Sequence, residues 1–201
     1  MKKIGTLVLV LLGLAFLGGG AYSIARGLQA RDQVRTELLD QKIVSPPDAA
    51  IPGVKVDDAR TAKAMGDIID VHSRKVTGGR TYAELGRYVA TDGNPAGTSE
   101  EAKAVLGPNG RPVPNPLRGV AFEASALRTS LYTSVMAFNV ADLVVGLGFM
   151  MLALGAVLGG AGICLGRRAV VRAHQPRIDL VSATPLGRNL GAADEVATVG
   201  R

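Results

Sequence analysis

The strongest constraint on the fold is a run of 24 uncharged residues, Leu143 to Gly166, between Asp142 and Arg167. About 20 apolar helical residues cross the roughly 30 Å hydrocarbon core of a bilayer. The run is rich in glycine, which costs about 1 kcal/mol per helix position in water. In lipid, however, the backbone must satisfy its own hydrogen bonds, which favours a helix. The run therefore predicts a transmembrane helix over residues 143–166.

The glycines of this span recur at regular intervals. Gly148, Gly155 and Gly162 follow one another every seven residues, and Gly155/Gly159 and Gly162/Gly166 form two GxxxG pairs. Small residues at such spacing allow close approach of a second helix in a membrane. We expect this face of the span to pack against another helix.

A second uncharged run, of 21 residues from Ile4 to Ile24, follows Lys2 and Lys3 near the N-terminus. Its Gly13 and Gly20 repeat the seven-residue spacing, which suits packing against the other span. Residues 1–25 are therefore predicted to form a first transmembrane helix that pairs with the second in a hairpin.

A cleaved secretory signal peptide is the alternative for the first run. Lys2 and Lys3 would form its basic region, Leu7 to Leu17 its apolar core, and Ser23 to Ala25 a cleavage site of small residues. The run is longer than a usual signal core, and the helical pattern continues past Arg26. A retained signal anchor is the favoured interpretation, and cleavage near Ala25 stays open.

The net charge of +6 is concentrated at the ends of the chain. Two lysines precede the first run, and residues 167–201 carry six arginines against three acidic residues. Residues 25–142 are nearly balanced, with 15 basic and 14 acidic side chains. Basic flanks stay in the cytoplasm, so we expect a multi-pass protein of the cell membrane, with both termini cytoplasmic and residues 26–142 outside.

The basic tail, residues 167–201, is predicted to be disordered and to begin with a juxtamembrane cluster of Arg167, Arg168, Arg172 and Arg177. Such clusters fix orientation and are attracted to anionic lipid surfaces. The charge excess therefore indicates a lipid bilayer as partner and no nucleic acid.

The segment outside, residues 26–142, has a helical pattern at both ends. The first helix is expected to continue to about Val44, and helical periodicity resumes at Gly119 and runs into the second span. Between them, a helix capped by Asp57 or Asp58 is predicted, and Thr81 with Glu84 forms a capping box for a short helix. Residues 92–118 hold five of the ten prolines and are predicted to be a loop.

His72 is a candidate metal ligand because Asp67 and Asp70 precede it. At 100° per residue, Asp70 and His72 lie about 200° apart on a helix. His72 instead shares a helical face with apolar residues, so we expect it to be half buried in that packing stripe. No metal or cofactor site is predicted.

Arg26 and Asp142 flank the two spans on the outer side, where we consider an interfacial ion pair between them. Cys164 is the only cysteine, so no intrachain disulfide is expected. The sequence contains no CxxC, HExxH, GxxxxGK[ST] or GxSxG motif. We therefore expect a protein without enzymatic activity.

Two stretches resemble a family of actinobacterial two-span membrane proteins: "VHSRKVTGGRTYAEL" at 71–85 and "ALRTSLYTSVMAFNVADLVVGLG" at 126–148. The resemblance covers roughly residues 20–152 and implies location and shape. Members are often labelled aromatic ring-opening dioxygenases. A non-haem iron site typically takes two histidines and a carboxylate, but the expected topology puts His72 and His174 on opposite sides of the membrane, so that label is not supported here.

The sequence thus predicts an all-α membrane protein: two transmembrane helices in a hairpin with an extracytoplasmic helical domain. The glycine faces favour an accessory, scaffold or assembly subunit that packs against a membrane protein partner or a second copy of itself. A small-ligand sensor using the outer domain is the alternative. Its weakness is the scarcity of aromatic residues, which usually help to line ligand pockets.

Overall fold

The computed structural model describes residues 2–173, with side chains from residue 4 to residue 168. This part of the chain contains three α-helices: α1 (Lys2–Asp40), α2 (Ala59–Val76) and α3 (Pro116–Ala173). Two single-turn 3-10 helices, Tyr82–Glu84 and Glu101–Lys103, complete the regular structure, and residues 2–173 contain no strand. The prediction of an all-helical protein is confirmed.

The helices α1 and α3 are both long and apolar enough to cross a membrane, as expected from the two uncharged runs. We call residues 4–24 of α1 and 143–166 of α3 the apolar segments. The stem segments are residues 25–40 of α1 and 116–142 of α3. Each helix passes from apolar segment to stem segment without a break. The helix α3 continues to Ala173, so its last seven residues, 167–173, belong to the segment predicted to be a disordered tail.

The stem segments of α1 and α3 enclose a small apolar core together with α2. Its buried members are Leu38 from α1, Leu131 and Phe138 from α3, Ala62 from α2 and Val56 from the preceding loop. Burial of such side chains is the main favourable term for folding in water. These contacts hold α2 and the loop before it to the two long helices.

The helix α2 begins as the sequence predicts. Asp58 is its N-cap: the carboxylate accepts a hydrogen bond from the backbone N–H of Thr61 at 2.7 Å, and the Thr61 hydroxyl accepts from the N–H of Asp58 at 3.0 Å. This reciprocal pair satisfies two backbone donors that the first turn leaves unpaired. After the C-cap, Thr77, the chain turns through Gly78 and Gly79, whose φ values of 63° and 83° favour glycine.

Residues 77–115 form an ordered loop region rather than a second helical layer. The predicted capping box of Thr81 and Glu84 is present, but it caps a single 3-10 turn and not a longer helix. Isolated antiparallel bridges tie the proline-rich part together, among them Tyr88 to Thr98 and Tyr88 to Pro114. The frequent prolines lack the N–H donors that a longer helix requires.

Candidate functional site

The glycines of α1 and α3 face one another in the apolar segments. A Cβ at Gly13 would lie 2.7 Å from the backbone nitrogen of Gly159, and one at Gly20 would lie 2.7 Å from the carbonyl oxygen of Gly148. A Cβ at Gly155 would lie 2.8 Å from the carbonyl oxygen of Gly13. The two backbones therefore meet directly, and the order of the contacts shows that the helices run antiparallel. We call this contact the glycine seam.

The seam follows the seven-residue spacing more closely than the GxxxG pairs. Gly148, Gly155 and Gly162 are all buried against α1. By contrast, a Cβ at Gly159 would meet no atom within 4 Å, and one at Gly166 would only reach the methyl group of Thr6 at 3.3 Å. A side chain at the second glycine of each pair would therefore disturb the helix packing less than a side chain at the first.

A second stripe of small residues on α3 faces away from α1. Gly146, Ala153 and Gly160 are exposed and lie seven residues apart, on one face of the helix. A Cβ at Gly146 or Gly160 would meet no atom within 4 Å. We call these three residues the outer small-residue face.

Asp142 has a different partner from the one predicted. It accepts a hydrogen bond at 2.8 Å from Nη1 of Arg31, whereas Arg26 donates to Gln29, one turn further along its own helix. The prediction of an ion pair between Arg26 and Asp142 is therefore wrong. The alignment of the helices explains the difference: a Cβ at Gly27 would lie 3.0 Å from the carbonyl oxygen of Ala141, so Asp142 is level with the residues that follow Arg26.

Of the predicted basic cluster, Arg167 and Arg168 are exposed near the end of α3. Arg172 lies on the last turn of the same helix, where the backbone alone is described, and Arg177 and the rest of the tail lie outside the described residues. The two exposed arginines follow the apolar segment directly.

His72 is not part of the packing stripe in which the sequence places it. Its ring is exposed, and Nε2 lies 2.7 Å from Oδ2 of Asp48 in the loop before α2. The hydrogen bond to His72 lowers the pKa of the Asp48 carboxyl. The apolar core receives its contacts from the part of α2 between Ala59 and Ile69, and His72 lies beyond that part of the helix.

The two carboxylates that precede His72 join α2 to α3. Asp67 accepts hydrogen bonds from Lys63 at 2.6 Å and from the hydroxyl of Tyr132 at 2.5 Å. These bonds, first that of Lys63 and then that of Tyr132, lower the pKa of Asp67. Next to this pair, Gly66 lies against the Tyr132 ring, and a Cβ there would be in ordinary van der Waals contact with the ring at 3.4 Å.

Asp70 is bound by two arginines on different helices. It accepts from Nε of Arg74 at 3.1 Å and from Nη1 of Arg128 at 2.8 Å. The carboxylate forms part of a cleft of about 260 Å³ between the end of α2, the turn after it and the start of α3. Its charged and aromatic lining comprises Asp70, Arg74, Arg80, Tyr82 and Arg128, and we call it the arginine cleft.

The turn after α2 supplies one wall of the arginine cleft. Nη1 of Arg80 donates to the carbonyl oxygen of Thr77 at 3.3 Å, which holds the guanidinium beside the turn. Tyr82 lies at the rim, with the guanidinium of Arg118 stacked 3.8 Å from its ring centre and Phe122 5.8 Å away. Glu84 lies nearby. The hydrogen bond that its carboxylate accepts from the backbone N–H of Thr81 lowers its pKa most, and the positive charges of Arg74 and Arg80 lower it further.

The arginine cleft brings together the two stretches that carry the family resemblance. Residues 71–85 supply Arg74, Arg80 and Tyr82, and residues 126–148 supply Arg128. Sequence reasoning missed this site because each charged residue alone resembles a solvated helix surface. The recurrence of arginine in both stretches was the one available signal.

Residues 2–173 contain no group of three or more histidine, cysteine or acidic side chains placed to hold a metal ion. His174, the second histidine, lies outside the described residues. Comparison with models of known protein families, with curated proteins and with solved structures gave no match.

Proposed function

We propose that the protein is a non-enzymatic integral membrane protein that acts as an accessory, scaffold or assembly subunit. In this proposal the apolar segments cross the cell membrane as a hairpin, both termini are cytoplasmic, and residues 26–142 lie outside. The unbroken helices α1 and α3 support it, because they tie the outer domain rigidly to the spans.

The observation that carries the proposal is the outer small-residue face. The glycine seam uses Gly148, Gly155 and Gly162 within the chain, but Gly146, Ala153 and Gly160 remain exposed on another side of α3. A lone anchor has no need of such a face, since lipid tails pack equally well against large apolar side chains. Small residues instead permit a further helix to approach closely.

The test is to isolate the tagged full-length protein from its native membrane in mild detergent and to identify co-purifying proteins by mass spectrometry. We expect a membrane protein in stoichiometric amount, or a second copy of the chain. Gly160→Leu should abolish this association and leave the fold intact, because no atom lies within 4 Å of the new Cβ. Gly18→Leu is the matched control, since its position on α1 is equally open.

A monomer without a companion would overturn the scaffold proposal, as would an association that survives in Gly160→Leu. The same sample gives the N-terminal sequence. A mature chain beginning at Met1 or Lys2 supports two spans, and one beginning at Arg26 would reduce the architecture to a single anchor.

A second candidate function, binding of a small ligand outside the membrane, is supported by the arginine cleft. The cleft is formed by residues from two helices and a turn, and convergent polar groups around a concave site are typical of ligand pockets. A screen of small solutes for a shift in the melting temperature of the full-length protein in detergent tests it. No shift with any solute would remove this candidate.

A further inference from the structure

We propose that the arginine cleft binds a small dissolved oxyanion, either a carboxylate or a phosphate. This inference rests on the second candidate function and names the chemical class of its ligand. The arrangement of charge, the unused hydrogen-bond donors and the position of the cleft along α3 support it independently.

Positive charge exceeds negative charge around the cleft. Its lining contains three guanidinium groups, those of Arg74, Arg80 and Arg128, and one carboxylate, Asp70. Adding the neighbouring Glu84 still leaves an excess of one positive charge. Guanidinium groups suit carboxylate and phosphate ligands because their planar N–H donors match pairs of oxygen atoms.

Most donors of these arginines are not used by the protein. Each guanidinium has five N–H donors. Within residues 2–173, Arg80 makes one hydrogen bond, to Thr77, and Arg128 makes one, to Asp70. A bound oxyanion would provide acceptors that the chain itself does not supply.

The serine and threonine hydroxyl groups of the lining already donate hydrogen bonds within the protein. Ser73 donates to the carbonyl oxygen of Asp70, Ser125 to that of Phe122, and the Thr81 hydroxyl to the carboxylate of Glu84. The arginines and the hydroxyl of Tyr82 are therefore the donors left to bind a ligand. A neutral ligand would leave the excess positive charge unpaired, so the cleft favours an anion.

The position of the cleft excludes a lipid headgroup as the ligand. Ser125 in its lining precedes the apolar segment by 18 residues, which corresponds to about 27 Å of helix at 1.5 Å per residue. A phosphate in the bilayer surface would not reach that height. The volume of about 260 Å³ lies just below the range usual for drug-sized ligands, about 300–1,000 Å³. We therefore expect a small molecule in solution.

The experiment measures the melting temperature and the heat of binding of the full-length protein in neutral detergent at constant ionic strength. Inorganic phosphate, succinate and a panel of neutral solutes are titrated separately, with sodium chloride as the salt control. We expect saturable binding of phosphate or succinate. Arg80→Gln should weaken it about tenfold, the effect of losing about 1.4 kcal/mol of binding free energy.

Two further variants make the result specific to the cleft. Arg111→Gln removes the same charge from an exposed loop position outside the cleft lining, so binding should be unchanged. Ser125→Phe fills the cleft from an exposed helix position and should abolish binding even if Arg80→Gln proves unstable.

Several results would overturn the inference. One is a shift in melting temperature with phosphate and succinate that is no larger than the shift with sodium chloride, or that is equal in wild type and Arg80→Gln. Another is a shift caused by anionic lipid added to the micelles where the dissolved anions fail, which would identify a headgroup site. Saturable binding of a neutral solute alone would reject the oxyanion but keep the ligand-binding function, whereas no binding of any solute would reject both.

Discussion

The helices α1 and α3 pack against each other by two different means along their length. In the apolar segments, glycine backbones meet directly, and a Cβ at Gly155 would lie 2.8 Å from the carbonyl oxygen of Gly13. In the stem segments, Leu38, Leu131 and Phe138 fill the space between the helices and α2. Water drives the burial of large side chains. In lipid, where we propose that the apolar segments lie, close packing of backbones is the main source of attraction. Each part of the helix pair is thus packed in the manner that suits its proposed surroundings, lipid for the apolar segments and water for the stem segments.

The largest expected effect separates buried from exposed side chains on α3. Phe138→Ala should lower the free energy of unfolding in detergent by about 3 kcal/mol, because it opens a cavity in the stem core. Phe138 is only 2% exposed, whereas Phe149, in the apolar segment, is 59% exposed. Phe149→Ala is the matched control and should change stability little, since its neighbours remain lipid or detergent. Equal losses of unfolding free energy in the two variants would show that the burial of Phe138 between the stem segments does not stabilise the protein.

The next effect tests the glycine seam with one substitution at two positions of the same helix. Gly155→Ala should destabilise the hairpin by about 2 kcal/mol, because the new methyl group meets backbone atoms of α1, which cannot move aside as a flexible side chain can. Gly160→Ala has open space and should be neutral or slightly stabilising, since alanine is the better helix former. Thermal unfolding in detergent measures both. A harmless Gly155→Ala would mean that the seam is not closely packed.

The smallest expected effect is a pH dependence that distinguishes the start of α2 from the glycine seam. The hydrogen bond from the Thr61 backbone lowers the pKa of Asp58 from 3.8, so its stabilisation of α2 is fully present above that value and is lost as the pH falls through the folded-state pKa. Asp58→Ala should cost about 1 kcal/mol at neutral pH, and Asp58→Asn much less, since asparagine also caps helices.

Melting temperatures between pH 6 and pH 2.5 measure this contribution as the difference between wild type and Asp58→Asn. As the pH falls toward 2.5, the melting temperature of the wild type should fall relative to that of Asp58→Asn. The destabilisation caused by Gly155→Ala should stay constant, because the apolar segments contain no carboxylate. A seam effect that varied with pH would break the proposed separation between the regions.

Features encoded by neighbouring residues could be predicted from the sequence. Asp58 as an N-cap and the capping box of Thr81 and Glu84 both depend on residues a few positions apart. The two long apolar helices were predictable for the same reason, because an uncharged run needs no knowledge of the rest of the fold.

Features that depend on the alignment of distant segments were not predictable. The pairing of Asp142 with Arg31 rather than Arg26 requires the offset between α1 and α3. The pairing of His72 with Asp48 requires the path of the loop before α2. The arginine cleft likewise depends on Asp70 meeting Arg128, 58 positions away, and no local periodicity reports such a meeting.

Because α3 is a single unbroken helix, a tilt of its apolar segment displaces its other end. Its 58 residues extend for about 87 Å, and about 45 Å of helix separates Ser125 in the cleft from Gly155 in the seam. If the apolar segments lie in a bilayer as proposed, a change of about 10° in their inclination moves the cleft sideways by about 8 Å. Tilting is one way in which a span adapts to bilayer thickness, so a change in thickness that tilted these helices would displace the cleft sideways.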